Sequence, residues 1–198
     1  MNVVIIKYNA GNIFSVDYAL KRLGIQAEVT DNHERICTAD RVIFPGVGEA
    51  STTMHYLQQN GLDDVIRNLK QPVLGICIGM QLMCRHSEEG NTSCLGIFDD
   101  DVKRFRYSPG IKVPHMGWNS LQNMRSPLFD GLPDHPYVYF VHSYYAATGK
   151  HTIAASSYPE SFSAALQLNN YYALQFHPEK SGSVGETILK NFIEKTDS

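Results

Sequence analysis

Residues 72–83 read Pro-Val-Leu-Gly-Ile-Cys-Ile-Gly-Met-Gln-Leu-Met, an apolar strand that runs into an apolar helix through one sharp turn. The turn is Gly75-x-Cys77-x-Gly79, the thiol form of the G-x-S-x-G nucleophile elbow. Glycine on either side lets backbone approach backbone where a Cβ would clash. The residue between them is thereby pushed out at the top of a sheet, and the N–H groups of the helix behind it favour a thiolate. An elbow of this kind needs a sheet of parallel strands joined by helices, and the first half of the chain supplies the pieces. Spacing predicts strands over 2–7, 26–29, 41–44 and 73–76. It predicts helices over 12–23, 49–59 and 62–69, and an elbow helix reaching about His86. In the first helix Ile13, Val16, Ala19, Leu20 and Leu23 share one side, and Gly24 stops it.

After Gly90 the pattern changes. Short strand-like pieces are expected at 102–105, 137–142, 152–155, 163–168 and 172–176, with turn signals at Ser108-Pro-Gly110, Asp130-Gly131 and Asn169-Asn170. A last helix is expected over 184–195. The reading is an α/β fold, with a largely parallel central sheet flanked by helices and added antiparallel strands. Its 198 residues suit one domain over 1–198.

Composition narrows the function classes. A net charge of −3 argues against broad binding of nucleic acid or an anionic membrane. The longest apolar runs, such as Val3-Val-Ile-Ile6, fall far short of the ~20 residues of a membrane span. Cys37, Cys77, Cys84 and Cys94 form no C-x-x-C pair and read as reduced thiols of a cytoplasmic protein. The histidines show no metal-ligand spacing with one another or with cysteine, so no metal is expected. Gly46-x-Gly48 resembles the start of a dinucleotide fingerprint, but Ser51 stands where the third glycine belongs, so no cofactor is expected either. Exposed backbone N–H groups near the elbow, suited to an oxyanion, are a better use of Pro45-Gly-Val-Gly48.

Far downstream comes Gln175-Phe-His177-Pro-Glu179. Proline biases His177 toward an extended conformation, in which residues two apart point the same way. Glu179 can then fix the imidazole while the other ring nitrogen faces the thiol. An ordinary buried cysteine and a surface His beside a capping Glu are the competing readings. The elbow and H-P-E together favour a Cys77–His177–Glu179 triad.

These motifs, in this order over nearly the whole chain, resemble the class I (triad-type) glutamine amidotransferases. Within that family, Tyr8-Asn-Ala-Gly-Asn-Ile13, Pro114-His-Met-Gly-Trp-Asn119 and Tyr139-Phe-Val-His-Ser-Tyr144 look like the glutaminase subunits of imidazole glycerol phosphate synthases, which serve histidine biosynthesis. The resemblance implies a flavodoxin-like amidotransferase fold and hydrolysis of L-glutamine through a Cys77 thioester. It implies backbone oxyanion donors at Val47 and Ile78, and glutamine contacts at Gly48, Gln81, Glu89, His142, Ser143 and Tyr144. From the bare sequence His142 reads better as a satisfied strand-end histidine than as a catalytic one. The implied partner is a (β/α)8-barrel synthase (cyclase) subunit in a 1:1 heterodimer, met by Asn12, Trp118, Tyr139 and Lys180. A glutaminase for another synthase, such as one for nucleotide-sugar amidination, stays open at this level. So do a stand-alone cysteine hydrolase and a non-catalytic protein that kept the fold.

Overall fold

The computed structural model describes residues 1–9, 11–106 and 109–196. Ala10 of the Tyr8–Ile13 segment and Ser108 of the expected turn lie outside the described residues. Strands β1 (Val3–Ile6), β2 (Ala27–Thr30), β3 (Arg41–Phe44) and β4 (Val73–Ile76) are parallel neighbours. Every residue of β1 and β4 is buried, as in a sheet covered on both faces. Alternation along the strands splits the interior in two. Ile5, Ile43 and Leu74 pack with Val16 and Leu20 of α1 (Ile13–Arg22). Val4, Val42 and Phe44 pack on the other side with Ile36 of α2 (His33–Cys37), Met54 and Leu57 of α3 (Ala50–Gln59) and Ile66 of α4 (Leu62–Asn68). The elbow helix is α5 (Ile78–Met83).

The second half supplies β5 (His86–Ser87), β6 (Thr92–Ser93), β7 (Asp101–Arg104), β8 (His115–Ser120), β9 (Tyr137–His142), β10 (Tyr144–Ala146), β11 (Thr152–Ser157), β12 (Ser161–Leu168) and β13 (Tyr171–Leu174). The closing helix α6 (Gly182–Lys195) packs Ile188 and Leu189 on the α1 side. Among the described residues the strands form three sheets: β11-β12-β13-β4-β3-β1-β2, β10-β7-β5-β6, and the hairpin β8-β9. The antiparallel hairpin β11–β12 and strand β13 extend the main sheet, and β13 returns parallel to β4 with Leu174 beside Ile76. That pairing positions the site, because the residues following β4 and β13 emerge side by side from one edge.

The structure corrects four local expectations. The elbow helix stops at Met83 rather than near His86, because the Arg85 N–H turns to the Asp100 carbonyl at 2.9 Å and His86 enters a strand against Asp101 and Ser93. Cys84 is therefore the buried residue that ends α5. Helix α2 escapes the apolar spacing because it is only five residues long, with one buried side chain, and rests on Asn32, whose side chain accepts the Arg35 N–H at 3.0 Å. Strand β8, signalled in the sequence only as a motif, hides its alternation behind polar residues that face inward, His115 and Asn119 among them. Finally, residues 178–180 are a 3-10 turn rather than an extended segment. His177 itself is extended (φ −98°, ψ 97°).

Candidate active site

Cys77 sits at φ 54°, ψ −106°, a left-handed backbone that a non-glycine residue adopts only when its surroundings enforce it. Its N–H donates to the Leu174 carbonyl at 2.7 Å, which fixes the elbow to β13. A Cβ on Gly79 would lie 2.1 Å from the Phe44 carbonyl oxygen, and one on Gly75 would lie 3.0 Å from the Gly79 backbone. Close packing of backbone on backbone therefore requires Gly79, while a Cβ on Gly75 would sit tight against the Gly79 backbone and the Met83 sulfur, the latter at 2.9 Å. Gly79→Ala is expected to destabilise the chain by about 3 kcal/mol, the upper end for overpacking a core. A fall in the urea midpoint measures it, and an unchanged midpoint would contradict the required packing.

His177 follows β13 across the strand pair from Cys77. Its N–H donates to the Tyr139 carbonyl at 2.9 Å, and its own carbonyl accepts the Ser181 hydroxyl at 2.6 Å. His177 Nδ1 lies 2.7 Å from Glu179 Oε1, and both side chains are fully buried. The Asn12 amide donates to the same carboxylate oxygen and lies 3.5 Å from Nδ1. Among the described residues Nε2 makes no hydrogen bond of ordinary geometry. Burial alone would pull the imidazole down, but the Cys77 sulfur and the Glu179 carboxylate outweigh it and raise its pKa to about 10. The side-by-side placement of His177 and Glu179 thus arises from a tight turn, with the same outcome that an extended segment would give.

The sulfur lies in a cleft of about 290 Å³, at the small end of the ~300–1,000 Å³ usual for ligand sites. That suits an amino acid better than a nucleotide. Val47, Gly48, Ile78, Gln81, Glu89, His142, Ser143 and Tyr144 line it with Cys77. Gln81 is buried, and its amide nitrogen donates to the Tyr144 carbonyl at 2.9 Å and to Gln175 Oε1 at 3.0 Å. Glu89 accepts the Ala50 N–H at 2.8 Å. Burial raises its carboxyl above the usual range, against that hydrogen bond and with help from Glu49. A partly buried carboxylate of this kind is suited to a cationic group.

Val47 lies between Gly46 (φ 155°) and Gly48 (φ 151°) and forms an isolated bridge to Gly11. The Tyr8 hydroxyl donates to the Pro45 carbonyl at 2.5 Å, where it leaves no room for a Cβ on Gly46.

The four residues expected at a partner face are placed together only in part. Trp118 is 55% exposed and stands opposite Tyr139 in the β8–β9 register, their rings edge to face at 5.9 Å. Lys180 is exposed one residue beyond Glu179. Asn12 is half-buried against the carboxylate instead of standing free.

Sequence reasoning missed this Asn12 contact, which no local pattern signals. It also missed the Gln175 amide, which lies 3.9 Å from the Cys77 sulfur. Gln175 precedes His177 by two, and alternation along the strand is a signal that could have found it.

The family model described as "Glutamine amidotransferase class-I" matches residues 4–196. The chain is 61% identical over 195 residues to the protein named imidazole glycerol phosphate synthase subunit HisH of Bacteroides fragilis, covering 98% of this chain and 100% of that one. It is 58% identical, with the same coverage, to the protein of that name from Bacteroides thetaiotaomicron. A crystal structure of a glutamine amidotransferase matches with a TM-score of 0.75 at 20% identity, covering 98% of this chain and 98% of that one. The last likeness concerns the fold alone.

Proposed function

The chain belongs to the class I glutamine amidotransferases, and from that premise we propose that it is the glutaminase subunit of an imidazole glycerol phosphate synthase. One observation carries the chemistry: the elbow thiol after β4 lines one small cleft, and a buried, carboxylate-bound imidazole follows the adjacent parallel strand β13, close enough for the sulfur to raise its pKa. The Cys77 thiolate attacks the side-chain amide carbon of glutamine. The N–H groups of Val47 and Ile78 receive the developing oxyanion, each such donor being worth ~10²–10³ in rate. His177 protonates the departing ammonia, and the thioester remains on sulfur. His177 then takes a proton from water, whose oxygen displaces the thiolate and releases glutamate. Glu179 orients the ring. Glu89 faces the substrate ammonium, and Gly48, Gln81, His142, Ser143 and Tyr144 enclose the rest of the amino acid.

The chain acts as a single domain over 1–198, without a cofactor, in the cytoplasm. Its ammonia passes to a (β/α)8-barrel synthase (cyclase) subunit in a 1:1 heterodimer. The barrel's lyase reaction gives imidazole glycerol phosphate and an aminoimidazole carboxamide ribotide. The exposed Trp118 and Lys180 and the half-buried Tyr139 form the face for it, large aromatic and basic side chains being of the kind enriched at interfaces.

Ammonia released into water would be lost, so the site is expected to be gated. The Pro45–Gly48 segment offers the switch. Glycine on both sides of Val47 lets its peptide rotate toward or away from the oxyanion, and one misdirected donor already costs ~10²–10³ in rate. Kinetics on the purified chain, alone and with the ligand-loaded barrel subunit, test the proposal. The expected result is weak glutamine hydrolysis alone and about 10²-fold or greater activation in the loaded complex. Trp118→Ala and Lys180→Ala are expected to lower that activation while leaving the fold intact by circular dichroism. Full turnover by the isolated chain would instead support a stand-alone hydrolase.

A further inference from the structure

The cleft wall at His142 continues inward as a hydrogen-bonded series that the triad does not use. His142 Nδ1 lies 2.8 Å from the Tyr144 carbonyl oxygen, which can only accept. Nδ1 therefore carries the proton, and in a neutral ring Nε2 is left as an acceptor. His115 Nδ1 lies 3.0 Å from that Nε2 and must donate to it. His115 Nε2 is then the acceptor for the Asn119 amide nitrogen at 3.4 Å. Asn119 has no freedom to flip, since its nitrogen also donates to the Ser157 carbonyl at 3.0 Å and its oxygen accepts the Ser120 N–H at 2.8 Å. Every direction in the series is thus set from one end.

We propose that His115 is a positioning residue for the glutamine cleft, its Nδ1–H holding the His142 ring in the orientation whose own Nδ1–H meets the Tyr144 carbonyl, so that this carbonyl and Gln81 are kept in place. The inference rests on the glutaminase reading above. Its physical content is the orientation of one ring. A His142 ring that turned away from the His115 donor would carry its Nδ1–H off the Tyr144 carbonyl oxygen. Gln81 spends one amide hydrogen on that carbonyl and the other on Gln175, so a displaced carbonyl would release two cleft groups together.

Packing encloses the pair, and both rings are buried. The His115 ring stacks on Tyr158 at 4.0 Å and on Phe140 at 5.0 Å, with Phe105 edge-on to it. Burial lowers the pKa of His142 to about 3 and that of His115 to about 4, so both rings are neutral near pH 7. The relay also starts on the partner side of the molecule. His115 and Asn119 point inward from β8, and the exposed Trp118 lies between them on the same strand.

The test combines ring-nitrogen NMR on the chain with glutamine kinetics on the loaded complex. Both rings are expected as neutral Nδ1–H tautomers at pH 7. His115→Phe keeps a stacked ring but removes the donor, leaving a buried acceptor unpaired. It is expected to loosen the His142 ring, seen as a shift of its ring-nitrogen resonances while the Tyr144 carbonyl keeps the Nδ1–H tautomer, and to raise KM for glutamine about tenfold, with kcat within about threefold, since the lost contact shapes binding rather than the reacting atoms. His115→Asn, whose amide can donate from nearly the same point, is expected to keep KM within about threefold of the parent. KM is insensitive to the fraction of molecules folded, so a destabilised variant still reports. An Nε2–H or charged His142 in the parent would overturn the relay, as would a parent-like KM in His115→Phe. A parent complex that hydrolyses no glutamine would overturn the glutaminase reading instead, and the tautomers would still test the relay.

Discussion

Cys77→Ala is expected to abolish glutamine-dependent synthesis in the complex, by ~10⁴-fold or more, as for removal of the nucleophile from an acting triad, while synthesis from added ammonium salts persists. The asymmetry follows from where the sulfur acts. Only thioester formation needs it; ammonia supplied from solution enters after that step. The fold should tolerate the change, because the backbone and not the sulfur shapes the elbow. The Cys77 N–H still bonds to Leu174, and Gly75 and Gly79 still admit their neighbours. Among the described residues the sulfur loses two long contacts, from the Gln175 amide and to the Val141 carbonyl, each at 3.9 Å, together with the attraction by which it raises the His177 pKa. Paired assays with glutamine and with ammonium chloride check the result. A variant that still hydrolyses glutamine within tenfold of the parent would remove Cys77 as nucleophile.

The elbow was legible because its chemistry and its backbone constraint coincide in five residues. The alternating first half was legible for a similar reason: β1 to β4 are short, apolar and separated by helices of clear period. What the sequence could not show is adjacency. That β13 lies beside β4, bringing His177 to Cys77, depends on a strand pairing between residues about a hundred apart, for which the resemblance stood in. The His115–His142 pair is hidden for the same reason. His142 looks like a strand-end residue and His115 like one member of a motif until the β8–β9 register sets them opposite one another. Asn12 is the other instance. Its position at φ 70° ahead of α1 reads locally as a helix cap, yet its side chain caps nothing and reaches Glu179. The overlong elbow helix failed through competition, since the Asp99–Asp101 segment captures Arg85 through both backbone and guanidinium.

Removing the imidazole is expected to cost nearly as much as removing the thiol, because the members of a triad act as a unit. His177→Asn leaves an amide near the Nδ1 position, able to meet Glu179, but nothing where Nε2 served the sulfur and the leaving ammonia. The loss is expected to be ~10⁴-fold with the fold retained. Glu179→Gln should be far milder, ~10²-fold, and Asn12 supplies the reason. Its amide donates to the same oxygen that accepts from His177, so a glutamine there is turned oxygen-first toward both donors and the ring keeps its orientation. The charge change is still readable. In the parent the ring's pKa is raised from 6.5 to about 10, so the stability it lends is fully present below pH 6.5 and fades as pH rises toward 10. Glu179→Gln takes away one of the two groups that raise it and leaves the burial that lowers it. The NMR titration midpoint of His177 should therefore fall, and the fading of stability should end at a lower pH. A Glu179→Gln enzyme slower than His177→Asn, or a ring whose midpoint does not move, would overturn the roles assigned to the pair.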